Sequence, residues 1–266
     1  MLTFSLFCHA ELIPVECNFI VDWGRYTCEL TRISIENNVT LSFAVGGKHA
    51  ENRTNEDVRG VLIQDAEVPF VFKELFETFP NINQLSVFRA GVRTFQKNAF
   101  FKASKLERIE FRNNNISHIY PYAFIGATYV NTLTLVNNSI QFLHRHALVG
   151  LNNLYRLSIN NNLIEEIPAD FFRPAIRLRI LFAGDNDLKS LNGNTFLRKY
   201  QIDQVSFPRS NISKIERTFM DNLNLISAIN LIGNQCVDRL FVLSSTPVEG
   251  IVVALEKCFQ NFEEET

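Results

Sequence analysis

Five histidines and five cysteines are the side chains with which this chain could hold a metal or move a proton, and their spacing argues against both. His144 and His146 form an H-x-H pair, while His9, His49 and His118 are scattered. A zinc site calls for C-x-x-C or a mixed Cys/His spacing, and neither occurs. No nucleophile elbow, acid pair or Ser/His/Asp set can be assembled. Gly46-Gly47-Lys48 lacks the preceding glycine and the following Ser or Thr of a phosphate-cradling loop. The expectation is a non-enzymatic chain with no metal and no cofactor.

The cysteines instead suit covalent stapling. Residues 1–10 are mostly apolar and end in Cys8-His9-Ala10, which reads as a secretory leader without a basic start. Its removal takes Cys8 away and leaves Cys17 and Cys28 near the front, Cys236 and Cys258 near the back, and none between. That even count implies two local disulfides formed in an oxidising compartment. Five N-x-S/T triplets, at Asn38, Asn52, Asn115, Asn137 and Asn211, agree with a secreted, extracellular glycoprotein. Asn52, in a polar insertion, is the best placed to carry a glycan; one on Asn137 would stand on the binding side. The net charge of −2 offers no field to nucleic acid or an anionic membrane, so neither is expected as a partner. After residue 10 no apolar run approaches the roughly 18 residues of a membrane span.

What must position any functional group is an internal repeat. The pattern L-x-x-L-x-L-x-x-N-x-L starts at Val58 and recurs every 24 residues at Ile82, Leu106, Val130, Leu154, Leu178, Ile202 and Ile226. Position four is always aliphatic and position six always apolar, as expected for a short strand with both side chains turned inward. Position nine is Asn114, Asn138, Asn162, Asn186 and Asn234 in five copies, and Ala66, Ala90 or Ser210 in the others. Buried amides must be satisfied, so these five predict a hydrogen-bonded ladder, weaker where Ala or Ser interrupts it. Phe76, Phe100, Phe124, Phe172 and Phe196 share a later column completed by Leu148 and Met220, which accounts for much of the total of 24 Phe. They predict an apolar spine on the outer side of each turn.

The repeat resembles the extracellular type of leucine-rich repeat over about residues 30–236. The resemblance implies an α/β-type solenoid, a curved horseshoe with a parallel concave sheet between disulfide-stapled caps. The expected organisation is a leader (1–10), an N-terminal cap with an irregular first repeat (11–57), 24-residue repeats (58–235) and a C-terminal cap with a helix (236–266). In the front cap a hairpin closed by Cys17 and Cys28 is followed by Leu30-x-x-Ile33-x-Ile35-x-x-Asn38, read as an extra copy. At the back, Thr246-Pro247-Val248-Glu249 opens a helix whose Val248, Ile251, Val252, Leu255 and Phe259 share one face, with Cys258 in reach of Cys236. These cysteine-framed ends are similar to those of secreted insect leucine-rich-repeat proteins, including the mosquito immune group. The resemblance implies a recognition or scaffold role in innate immunity. That group carries a coiled coil after the repeats, whereas this sequence reaches Glu263-Glu264-Glu265 and Thr266 without one. A cell-adhesion or developmental ligand binder, or a receptor ectodomain, is the alternative.

Function in such a chain belongs to the outward strand positions two, three, five, seven and eight. They hold seven Arg and no Lys in the eight copies. Arg is favoured at protein interfaces because its planar fork pairs carboxylates and stacks on rings. The expected partner-binding group is Phe88, Arg89, Arg108, Glu110, Arg112, Tyr155, Arg156, Arg179 and Phe182. A flat face of this kind suits a protein partner first, and a glycan or microbial surface product second.

Overall fold

The computed structural model describes residues 12–35, 42–196, 201–222, 226–244 and 248–263. The leader 1–10, the sequon Asn38 and the Thr246-Pro247 helix start fall outside those residues. One 11-stranded sheet runs the length of the molecule. Its eight repeat strands are Gly60–Gln64, Gln84–Phe88, Arg108–Arg112, Thr132–Thr134, Arg156–Ser158, Ile180–Phe182, Gln204–Ser206 and Ala228–Asn230. Each is parallel to the next in constant register, so position four lines up as Val61, Leu85, Ile109, Leu133, Leu157, Leu181, Val205 and Ile229. Every residue of the fourth and sixth columns is at most 2 % exposed. The fold is the expected leucine-rich-repeat solenoid. Its periodicity makes each inward side chain pack on the same position one turn away.

The asparagine ladder forms. Asn162 Oδ1 accepts the Ile140 N–H at 3.0 Å, and its Nδ2 donates to the carbonyls of Leu135, Ile159 and Asn160. Asn114, Asn138, Asn186 and Asn234 repeat this bridge to the preceding turn. Where Ala90 stands instead, the backbone closes the gap: Ala66 N–H donates to Arg89 C=O and Val68 N–H to Ala90 C=O at 2.7 Å. Ser210 behaves alike, its carbonyl taking the Leu188 N–H and its hydroxyl donating to Ala183 C=O. The interruptions therefore change who satisfies the donors without leaving them orphaned.

The spine is also present. Phe76, Phe100 and Phe124 follow one another as tilted rings at 5.7 and 5.5 Å between centroids, and Phe172 stacks on Phe196 at 5.1 Å. Phe219, fully buried 5.5 Å from Phe196, extends the ring contacts, while Met220 is only partly buried.

The front departs from the sequence reading. Asn18–Asp22 and Arg25–Thr31 form the antiparallel hairpin, closed by the Cys17–Cys28 disulfide. Its second strand then joins the main sheet with Cys28 opposite Val61 and Leu30 opposite Ile63. The extra copy thus starts five residues earlier than Leu30-x-x-Ile33 suggests. Ile35 falls below the strand, beside Glu67, rather than in it. The disulfide decides this register, because Cys28 takes an inward position that a pattern of aliphatic residues cannot reveal. Gly46 ends a strand Ser42–Gly46 parallel to Leu12–Glu16. His49 braces this cap: it stacks on Phe19 at 4.0 Å and bonds Tyr26 Oη and Asn55 Oδ1.

At the back, Leu240–Val242 pairs antiparallel with the last repeat strand. The helix Val248–Glu263 buries Ile251, Leu255, Cys258 and Phe259, and the Cys236–Cys258 disulfide ties it down. Among the described residues no helix is long and apolar enough to cross a membrane.

Candidate interaction surface

Three outward columns make up the concave face. Position three holds Arg108 and Arg156, position five Glu110 and Phe182, position seven Phe88 and Arg112. Arg108 lies opposite Gln84 and Thr132, and Arg156 opposite Thr132 and Ile180, so one strand separates the two arginines. The spacing of Arg108 and Arg156 is therefore about 9.6 Å across the sheet rather than that of neighbours. Arg112 pairs loosely with Glu110 at 3.7 Å. The Arg156 guanidinium lies 5.2 Å from the Phe182 ring centroid, a cation–π contact that fixes both side chains. The middle column is tighter than expected: Ser86, Thr134 and Ser158 are buried, because neighbouring side chains crowd the inside of a curved sheet.

The other predicted site residues lie on the rims. Position eight turns each strand out of the sheet through a left-handed backbone, with φ between 48° and 72° in all eight copies. Asn, Asp and Gly tolerate that conformation, and they fill six of the eight places. The exceptions, Arg89 and Arg209, each grip the Asp one turn earlier through two hydrogen bonds: Arg89 to Asp65 at 2.7 and 3.0 Å, Arg209 to Asp185 at 2.6 and 2.8 Å. The Arg89 guanidinium holds the Asp65 carboxyl below its usual range. Between these pairs Asn161 donates to Asn137, and Asn137 to Asn113, in an exposed ladder. On the opposite rim stand Tyr155, exposed, and Arg179, whose Nη1 donates to the Gln201 carbonyl at 2.8 Å. The structure thus joins Phe88, Arg108, Glu110, Arg112, Arg156 and Phe182 on one face, and separates Arg89, Tyr155 and Arg179 from them. The 24-residue spacing of Asp65 and Arg89 was the sequence signal for that separation.

The four described sequons, Asn52, Asn115, Asn137 and Asn211, are all exposed; Asn137 sits in the rim ladder and Asn211 Nδ2 donates to Asp187 at 2.7 Å. Among the described residues no group of three metal-capable side chains converges.

The family model for the leucine rich repeat matches residues 128–188. No curated protein matches the sequence. Among solved structures, a TLR13–ssRNA13 complex aligns over 82 % of this chain and 31 % of its own, with TM-score 0.64 and 20 % identity. The glycosylated form of the Toll–Spatzle complex, a molecular hub in Drosophila development and innate immunity, aligns over 68 % of this chain and 28 % of its own, with TM-score 0.55 and 17 % identity. The chain spans about a third of the length of the solved chains it matches. Repeat register, buried columns and likeness to these chains agree on the architecture: the chain folds as a leucine-rich-repeat solenoid.

Proposed function

We propose that the chain is an extracellular binding protein that takes a protein partner on its concave face. The observation that carries this reading is the triad of Arg108, Arg112 and Arg156. Unlike Arg89 and Arg209, none of them is clamped by a bidentate carboxylate, and they share the face with Phe88 and Phe182. Arginine beside half-buried rings is the composition of an interface hot spot. The cavities described lie elsewhere, on the convex side and the rims. Two disulfides support an oxidising compartment. Together with the cysteine-framed ends they support a role in innate immunity, of the kind the insect resemblance implies. Glycans on Asn52 and Asn115 would leave the concave face clear.

An RNA ligand is the competing reading, since three guanidiniums on one face also suit phosphates. The test is capture of partners from body fluid by the intact protein and by the Arg108/Arg112/Arg156→Ala variant. The variant should fold normally and lose its main protein partner. Equal recovery by both forms refutes the proposed face. A captured RNA whose affinity falls steeply with salt favours the competitor.

A further inference from the structure

The convex side carries a feature that concave recognition does not use. A cleft of about 630 Å³ opens between the outer turns of two consecutive repeats, lined on one side by Gln96, Lys97 and Asn98 and on the other by Tyr120, Pro121 and Tyr122. That volume lies within the usual range of small-ligand sites. Both tyrosine rings are half exposed, at 52 % and 51 %, and both are buttressed. Tyr120 stacks on His118 at 5.6 Å, and Tyr122 leans on His146 at 6.0 Å.

Tyr122 is the telling residue. Its φ is 60°, and the same place in the repeat before it holds Asn98 at 62°, and two repeats later Asp170 at 62°. Asn and Asp enter the left-handed region at little cost, whereas a bulky aromatic there costs about 1–2 kcal/mol. A strained residue that packs into no core is a pointer to function. Here the strain holds an exposed ring at the mouth of the cleft.

The lining also narrows the ligand. Segments 94–105 and 117–129 contain no Asp or Glu, and Lys97 is the one cation in the cleft lining. A single cation is too little for a nucleic-acid backbone, which needs a positively charged track. The remaining polar side-chain groups are neutral: the Thr94 hydroxyl, the amides of Gln96 and Asn98 and two phenolic hydroxyls, none with a hydrogen-bond partner among the described residues. A pyranose ring has an apolar C–H face that lies flat on an aromatic ring and a rim of hydroxyls that bonds amides. We infer that this cleft binds a short neutral oligosaccharide, stacked on Tyr120 and Tyr122 and hydrogen-bonded by Gln96 and Asn98. The site is independent of the concave face.

The test is saturation-transfer NMR with cellotriose, chitotriose and mannotriose at millimolar concentration, on the intact protein and on Tyr120→Ala and Tyr122→Asn. At least one sugar should bind the intact protein, with both variants about tenfold weaker or worse. Tyr122→Asn restores the residue its backbone prefers, so it should melt no lower than the parent, which separates lost binding from lost folding. The concave Arg108/Arg112/Arg156→Ala variant should bind the sugar unchanged. The inference is overturned if no sugar binds, if both tyrosine variants retain binding, or if oligo-dT binds more tightly than any sugar.

Discussion

Replacing Asn162 by Ala removes one rung of the buried ladder and leaves its neighbours in place. Its Oδ1 is the acceptor for the Ile140 N–H at 3.0 Å, and its Nδ2 caps the Leu135 carbonyl at 2.9 Å. Both partners belong to buried residues, so the loss strands the Ile140 donor and takes the side-chain donor from the Leu135 carbonyl, while the Ile159 and Asn160 carbonyls that Nδ2 also meets each keep another donor. A stranded buried group costs about 1–3 kcal/mol, and the donor is the more expensive. At Ala90 the backbone shows how much can be recovered, since Val68 N–H reaches the Ala90 carbonyl directly at 2.7 Å. Asn162→Ala can imitate that arrangement only if a turn packed on both sides shifts inward, so about 2 kcal/mol is expected. In a chain of this size that lowers Tm by roughly 4–8 °C. Asn161→Gly, which removes an exposed rung of the rim ladder at the adjacent position and keeps its left-handed backbone, should cost no more than about 0.5 kcal/mol. Urea unfolding followed by circular dichroism measures both. If Asn162→Ala falls within error of Asn161→Gly, the ladder is decoration and the account of what holds the turns together is wrong.

Two further outcomes follow from the packing and the rim. Phe100, fully buried against Phe76, Phe95 and Phe124, should lose about 3–5 kcal/mol on substitution by Ala, read as the shift in urea midpoint. For Asp65, whose folded carboxyl lies below its usual 3.8, the Arg89 contact is intact above that value and is lost as pH falls through the lower folded one. Carboxyl NMR titration should show this depressed midpoint, and Arg89→Met should raise it toward the ordinary range. An unchanged midpoint in the variant would mean that Arg89 is not its cause.

The repeat made much of the molecule readable. Columns such as Val61 to Ile229 and Asn114 to Asn186 recur at a spacing that only stacked turns can satisfy. The helix face of Ile251, Leu255 and Phe259 follows from its own periodicity. The candidate site was half legible. Phe88, Arg108, Arg112 and Arg156 fall on the expected face, but the rim fate of Arg89 turns on a backbone conformation as well as a side chain. The aspartate 24 residues before it was visible and its meaning was not. The convex cleft was not legible at all. His118, Tyr120 and Tyr122 look like an ordinary loop until the preceding turn brings Gln96 and Asn98 alongside.

By itself the sequence determined which residues turn inward, because burial repeats with the chain's own period and each turn meets an identical neighbour. It also determined the two pairs of cysteines, which lie close along the chain at each end. Only the tertiary structure decided the register of the front strand, which arginines are clamped to an aspartate and where two tyrosines line a cleft with two amides. Those outcomes depend on lateral contacts between turns and on left-handed backbone positions. Neither leaves a hydrophobic pattern behind it.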